Sequence, residues 1–351
     1  MNSLSLKENR NLLGRMLIIA QVGDLDIRNV LTYSLGPVPT AFANFDATMR
    51  KTNKAVMTQI LERKFPDAVV DLTLEGETAV VVDAMAMIQI QRNLPATFGE
   101  FASGILGQLI SLGSKYSAST VEFAIDRYRD MSIKNAERTR RVTSGTYDEM
   151  RITRAGMKMP RQFKKFLASG KNKEALLSFL VESWKEYSPH RLKGLNLYAS
   201  SGDDCYKLQS VNDSMVTTEI AELHCDHEEA DTHVFLHAQY APINDKAVNV
   251  IIRSPDTDVL VIGVSCVHRL QCQLFLHLTG RNTRILHVNR IADSLGEKAT
   301  QALIGLQVIS GCDTVSAFQG KGKKKLVNIL LSSESHMTTF SLLGTEWTVY
   351  L

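Results

Sequence analysis

The sequence predicts an α/β domain in which a mainly parallel, twisted sheet carries helices on both faces. Three observations lead there. Short β-branched runs recur and each meets an acid, helix-compatible segments separate them, and a lysine- and arginine-rich stretch interrupts the alternation near the middle.

Residues 1–65 combine a short apolar stretch (Leu17-Ile18-Ile19), a turn-like Leu35-Gly36-Pro37-Val38-Pro39 and the basic run Arg50-Lys51-Thr52-Asn53-Lys54, and are expected to form an N-terminal extension with some structure. Ala79-Val80-Val81-Val82 is too short for a buried helix and ends at Asp83, which predicts a buried strand. Val121-Glu122-Phe123-Ala124-Ile125 repeats the arrangement and leads into Asp126. Later, Ala247-Val248-Asn249-Val250-Ile251-Ile252 runs into Ser254-Pro255-Asp256-Thr257-Asp258, and Val259-Leu260-Val261-Ile262 is expected to begin another strand, with Pro255 marking the break. Residues 98–112 and 290–309 read as helices between strands.

Residues 127–193 hold 17 Lys or Arg against 7 Asp or Glu, which marks a basic insertion, expected to be mainly helical and to extend to about residue 215. Phe163, Phe166, Trp184, Tyr187 and Tyr198 interleave with the charges. They suit either a phosphate-binding surface with stacking capacity or the small core of a helical subdomain.

With 351 residues, 44% of them hydrophobic, the chain can fill a large core, so disorder is excluded as the overall state. Five cysteines without a C-x-x-C pair argue against a disulfide framework and a zinc ribbon. No apolar run reaches the roughly 18 residues that a membrane span needs, and a nuclear or cytoplasmic protein without a membrane partner is expected. The spacing around Gly320-Lys321-Gly322-Lys323 is not that of a Walker A loop, so ATP hydrolysis is not indicated.

In open parallel α/β sheets, ligands sit beyond the carboxyl ends of the strands, so Asp83, Asp126 and Asp256 can converge there. Each taken alone is equally a turn former or helix cap. His227-Glu228-Glu229-Ala230-Asp231 opens a helical-looking run over 232–240; acids in a first helical turn complement the macrodipole. Three acids in four residues also repel one another unless a cation compensates, and hard divalent cations take such oxygen ligands. The last piece is Gly311-Cys312-Asp313-Thr314, followed seven residues after Asp313 by Gly320-Lys321-Gly322-Lys323-Lys324-Lys325.

The ordered set resembles the flap-endonuclease/XPG-type 5′-nucleases of the PIN-like superfamily over residues 80–330. Their pattern runs from a strand-end Asp through Phe-Asp-Gly before a basic helix, Glu-Ala-Glu-Ala, Glu-Asp-x-Asp and Gly-x-Asp-Tyr to Gly-x-Gly-x-Lys. Here Asp83 and Asp126 match the first two acids, Glu229 and Asp231 the Glu-Ala-Glu pair, Asp256 and Asp258 the Asp-x-Asp pair, and Asp313 the final Asp. Arg127 stands where the family has Gly, Thr314 where it has Tyr, and Asp231 where it has Glu. Helix geometry also admits Glu228, which shares a face with Asp231, in place of Glu229.

The resemblance implies a PIN-like, flap-endonuclease-like domain over 66–335 and a C-terminal tail, 336–351, that truncates the family's duplex-binding platform. It implies two Mg²⁺ or Mn²⁺ ions, one served by Asp83, Asp126 and Asp231 and the other by Asp256, Asp258 and Asp313. Lys134 and Arg141 would neutralise the scissile phosphate as catalytic residues, and Gly320, Gly322, Lys323, Lys324 and Lys325 would grip a nucleic-acid backbone. The expected function is metal-dependent hydrolysis of phosphodiester bonds in DNA or RNA. A catalytically silent nucleic-acid-binding or scaffold protein of the same fold is the alternative, suggested by the Arg127 and Thr314 departures.

Overall fold

The computed structural model describes residues 3–23, 26–33, 38–128, 148–280 and 282–344. Nine strands form one sheet: β1 (Val69–Val70), β2 (Thr78–Asp83), β3 (Thr120–Ala124), β4 (Asn196–Ser201), β5 (Asp204–Val211), β6 (Ser214–Glu219), β7 (Asn249–Arg253), β8 (Gln273–Leu278) and β9 (Arg284–His287). Their order is β1-β9-β8-β7-β2-β3-β4-β5-β6. The five central strands, β8-β7-β2-β3-β4, are mutually parallel, while β9 and β1 on one flank and β5 and β6 on the other are antiparallel. The expected α/β class with a mainly parallel central sheet is what the chain forms.

Strand periodicity explains why β2 is apolar throughout. Val80 and Val82 face one hydrophobic cluster and Ala79 and Val81 the other, so both faces are covered. The first cluster is closed by the helices Phe98–Lys115 and Gly170–Lys185, the second by Ala230–Asn244, Thr257–Cys266 and Glu297–Ile309. Helix Phe98–Lys115 starts at a capping box, in which Thr97 accepts from Glu100 N and the Glu100 carboxylate accepts from Thr97 N.

Two expectations are corrected. Val259-Leu260-Val261-Ile262 is helical, inside Thr257–Cys266: Asp256 Oδ1 accepts from Asp258 N at 2.9 Å and starts a helix whose apolar residues are buried. A four-residue apolar run fits a buried strand and a buried helix equally. The single helix expected over 290–309 is two, Val288–Leu295 and Glu297–Ile309, separated at Gly296 with φ +79°. Of the two readings open for the aromatic residues the core is the one formed: Phe163, Phe166 and Trp184 are buried with Tyr187 packed against them, and Tyr198 is buried in a separate small cluster with Cys205 and Leu223.

The described part of the basic insertion is helical at Phe163–Phe166 and Gly170–Lys185, but β4, a strand of the parallel core, also falls within the 127–215 range. The helix Ala55–Lys64, within the stretch assigned to the N-terminal extension, buries Met57 and Leu61 in the second cluster. Among the described residues no helix is long and apolar enough to cross a membrane. All five cysteines are free.

Candidate metal centre

The parallel strands β2, β3 and β7 end side by side, and each hands the chain to an acid. Asp83 caps the helix Ala84–Gln89, its Oδ1 accepting from Ala86 N at 2.9 Å. Its Oδ2 accepts from Ser254 Oγ at 3.2 Å, and Ser254 Oγ in turn accepts from Asp256 N at 3.2 Å, so one hydroxyl ties the ends of β2 and β7 together. Beyond β3, Asp126 Oδ1 accepts from Ala230 N at 2.7 Å and Oδ2 from Tyr128 Oη at 3.0 Å. Asp126 thereby docks the start of helix Ala230–Asn244 on the sheet.

That docking brings Asp231, in the first turn of the helix, to the Asp256-Asp258 pair. One carboxylate oxygen from each of Asp231, Asp256 and Asp258 lies within 4.8 Å of the others. Glu229 sits at the N-cap position without capping through its side chain, and borders the same cleft of about 270 Å³ as Asp231, Asp258 and Asp313. Glu228 contributes its backbone, the carbonyl accepting from Arg127 N at 2.9 Å. On the remaining wall Val261, Ile262, Ile304 and Val308 are apolar.

Asp313 is joined to this group by Lys54, whose Nζ pairs with Asp258 Oδ2 and, at 2.9 Å, with Asp313 Oδ2. Gln307 Nε2 donates to the other oxygen of Asp258 at 2.7 Å. The chain carrying Lys54 is strapped down: Arg50 N donates to Ser316 Oγ at 2.8 Å, Ala317 N to Arg50 O at 3.0 Å, and Thr52 Oγ1 to Gly311 O at 3.1 Å. Gly311, at φ +95°, lies where an added Cβ would come within 2.8 Å of Ala317 Cβ and 3.0 Å of Thr52 Oγ1, so glycine is needed for both its backbone angle and this approach.

Burial and surrounding negative charge set the electrostatics. Burial raises the Asp83 pKa to about 6, helped by the charges of Asp126 and Asp256 and opposed by the bonds from Ala86 and Ser254. Asp256 is also raised, first by burial, with the carboxylates of Asp258 and Asp313 adding to it against Lys54. For Lys54 burial disfavours the charge, but the bond to Asp258 and the charges of Asp258, Asp313 and Asp256 outweigh it and hold its pKa above the ordinary lysine value. The donor set fits a hard divalent cation: every candidate ligand is a carboxylate, three converge, and their mutual repulsion is only partly relieved.

The structure thus gathers Asp83, Asp126, Glu229, Asp231, Asp256, Asp258 and Asp313 around one end of the parallel strands. The tightest triple, Asp231 with Asp256 and Asp258, cuts across the two ligand sets implied by the resemblance. Lys134 and Arg141 lie outside the described residues. Gly320, at φ +70°, Gly322, Lys324 and Lys325 are exposed.

Lys323 is corrected. It is 2% exposed and its Nζ donates to Gln307 Oε1 at 2.9 Å, Ser310 Oγ at 2.8 Å and Gly311 O at 2.9 Å. Its ammonium secures the end of helix Glu297–Ile309 and the loop leading to Asp313, which removes it from any phosphate contact. Burial lowers its pKa to about 8 against the pull of Asp258.

Sequence reasoning missed Lys54, Ser254 and Gln307 as members of the site. The signal for Lys54 was a basic run indistinguishable from a solvated surface, because its partners lie more than 200 residues away.

No protein-family model and no curated protein matches the chain. Among solved structures it is similar to the D15 flap endonuclease of bacteriophage T5, solved as a pseudo-enzyme–product complex with DNA and metal ions: 13% identity, TM-score 0.40, 76% of this chain and 88% of that one. A second structure of T5 D15, co-crystallised with metal ions, aligns at 15% identity and TM-score 0.37, over 76% of this chain and 89% of that one. Flap endonuclease-1 from Methanococcus jannaschii aligns at 17% identity and TM-score 0.38, over 81% and 80%.

Proposed function

We propose that the protein is a divalent-metal-dependent nuclease that hydrolyses nucleic-acid phosphodiester bonds, with Mg²⁺ or Mn²⁺ as the metal. The observation that carries this reading is the convergence of Asp231, Asp256 and Asp258 within 4.8 Å at the carboxyl ends of parallel strands. Divalent ions held there supply a bound water of lowered pKa and neutralise charge at the phosphate. Asp231, Asp256 and Asp258 bind; Asp83 and Asp126 anchor the strand and helix ends that aim them. Lys134 and Arg141 take the role the resemblance implies, neutralising the scissile phosphate.

Lys324 and Lys325, exposed at the start of helix Lys323–Leu330, are assigned to the backbone of a DNA or RNA substrate, with Gly320 and Gly322 allowing close approach. They border a cleft with Thr52 and Asn53, on the strap that carries Lys54. Arg161 and Lys164, exposed on the insertion, line a second groove with Arg92 beyond the helix that Asp83 caps.

Purified protein incubated with labelled single-stranded, flap and duplex substrates tests this reading. Cleavage with Mn²⁺ that stops in EDTA supports it. Salt-dependent binding without cleavage would replace it with the silent binder, a reading favoured by the lysine already seated among the acids.

A further inference from the structure

We infer that Lys54 is the second cation of this centre: its ammonium stands between Asp258 and Asp313 where a second divalent ion would otherwise bind, leaving one divalent ion on Asp231, Asp256 and Asp258. The inference rests on the metal-dependent reading above and changes the number of ions that reading needs.

The geometry supports it from three sides. Lys54 Nζ pairs with Asp258 Oδ2 and Asp313 Oδ2, one carboxylate from helix Thr257–Cys266 and one from the loop after helix Glu297–Ile309. The opposite oxygen of Asp258 takes the Gln307 Nε2 hydrogen at 2.7 Å, which leaves Asp258 lone pairs for the ion shared with Asp231 and Asp256, while the side facing Asp313 is filled by the ammonium. Finally, Lys54 has little freedom to leave. Its side chain is 19% exposed, and the backbone ahead of it is bonded to the loop that carries Asp313 through Arg50 and Thr52. On the other side the helix Ala55–Lys64 is pinned by Thr58 Oγ1 to Thr257 Oγ1 at 3.1 Å, next to Asp258 itself. A surface lysine loses rotamer freedom to form one pair and gains little from it. Here the fold has already fixed the stem, and the ammonium meets two acids.

Charge and hydrogen bonding give the arrangement a chemical consequence. An ammonium carries half the charge of a divalent ion and does not acidify water, so activation of a nucleophile is left to the single ion. Two of the three ammonium donors are engaged by Asp258 and Asp313, so the charge of Lys54 is taken up in holding those acids. Lys54 is therefore a fixed positive charge that keeps the two acids together.

The test is a count of ions. Equilibrium dialysis of the full chain against Mn²⁺, read by atomic absorption, should give one ion per chain for the parent and for Lys54→Arg, and two for Lys54→Met. Because Asp204, Glu219 and His224 form a separate group of possible ligands, the counts are made in an Asp204→Asn, Glu219→Gln background; a parent there that binds two ions overturns the Lys54 assignment and leaves the metal centre standing. A parent that binds none overturns both. A folded Lys54→Met that still binds one ion also overturns the assignment. Should that variant fail to fold, anomalous diffraction from Mn²⁺-soaked crystals of the parent decides. A peak at Asp231, Asp256 and Asp258 with Lys54 still between Asp258 and Asp313 supports the inference, whereas a peak between those two acids sinks it.

Discussion

Helix Ala230–Asn244 touches two acidic sites that the fold treats in opposite ways. At its first turn, Asp231 joins Asp256 and Asp258 at the edge of the sheet, with only carboxylates in the converging triple. Farther along the same helix, His237 is fully buried and its Nδ1 bonds Glu122 Oε2 at 2.5 Å, beneath β3. Ser200 Oγ lies 3.3 Å from the far ring nitrogen of His237, and the His233 ring packs against it tilted by 47°, 4.9 Å between centroids.

In that interior site burial raises the Glu122 pKa well above the ordinary value, the Asp245 charge adding to it, and burial lowers His237 to about 3, so the interior favours the neutral form of each partner. At the strand ends the acids keep solvent access and an open cleft. An acid buried without a cation is neutralised by a proton, whereas acids grouped at a rim stay available to a metal. The difference separates a ligand set from a core polar network more sharply than residue type does.

The largest contrast is expected from Asp231→Asn combined with Asp256→Asn. Mn²⁺-dependent thermal stabilisation and cleavage should fall by at least on the order of 100-fold, since these groups would bind the ion directly. Melting of the metal-free protein should shift by no more than about 1 kcal/mol, because lost first-turn charge is offset by relieved repulsion and Asn still caps. Loss of the apo fold would make these acids structural caps and dissolve the contrast.

The complementary change, His237→Ala, should cost about 2–4 kcal/mol in urea melts by leaving Glu122 without its partner and opening a cavity. Mn²⁺ affinity should stay within about twofold of the parent value. A large loss of metal binding there would mean that the interior network, and not the rim, governs the centre.

Asp83 lies between the two regimes. Its folded-state pKa of about 6 exceeds its unfolded value of 3.8, so the ionised carboxylate opposes folding, fully above about pH 6 and not at all once pH falls below 3.8. In EDTA at pH 7.5, Asp83→Asn should therefore be more stable than the parent by roughly 1–3 kcal/mol. The two melting curves should converge as pH drops from 6 toward 4. A constant gap across that range would show that ionisation of Asp83 is not what costs stability.

The smallest effect belongs to Glu122→Gln. Burial favours the neutral carboxyl in the fold, and an amide can still donate to His237 Nδ1, so the cost should be under about 1 kcal/mol at pH 4.5. At pH 7.5, where the unfolded parent would be ionised, the variant should be the more stable of the two. Greater destabilisation at pH 7.5 than at pH 4.5 would mean that Glu122 is charged inside the protein.

The sequence made the strand-end acids legible because β-branched runs ending in Asp have few other uses in a parallel sheet, and β2, β3 and β7 lie at those runs. What it hid has physical causes. The run 259–262 fits helix and strand equally, and the Asp256 cap decides it. Hairpin β5–β6 turns at Asn212-Asp213, both at positive φ, a local signal that was present and went unread. In sequence Lys323 reads as a phosphate contact, because its role depends on the helix end at Gln307 and Ser310, a tertiary neighbour that no local pattern reveals. Lys54 was illegible for the same reason.

The bond between Arg50 and Ser316 spans 266 residues of chain, and the one between Lys54 and Asp258 spans 204. Early and late parts of the polypeptide therefore meet at the centre, and the order of synthesis sets the order in which it can assemble. Asp83, Asp126, Asp231, Asp256 and Asp258 leave the ribosome before the segment that holds the strap in place, and non-local contacts of this reach form late in folding. A nascent chain thus carries most of its acids while the loop bearing Asp313 has yet to be made. Completion of translation through residues 311–317 closes the centre, so a prematurely stopped product lacks the lock that fixes Lys54.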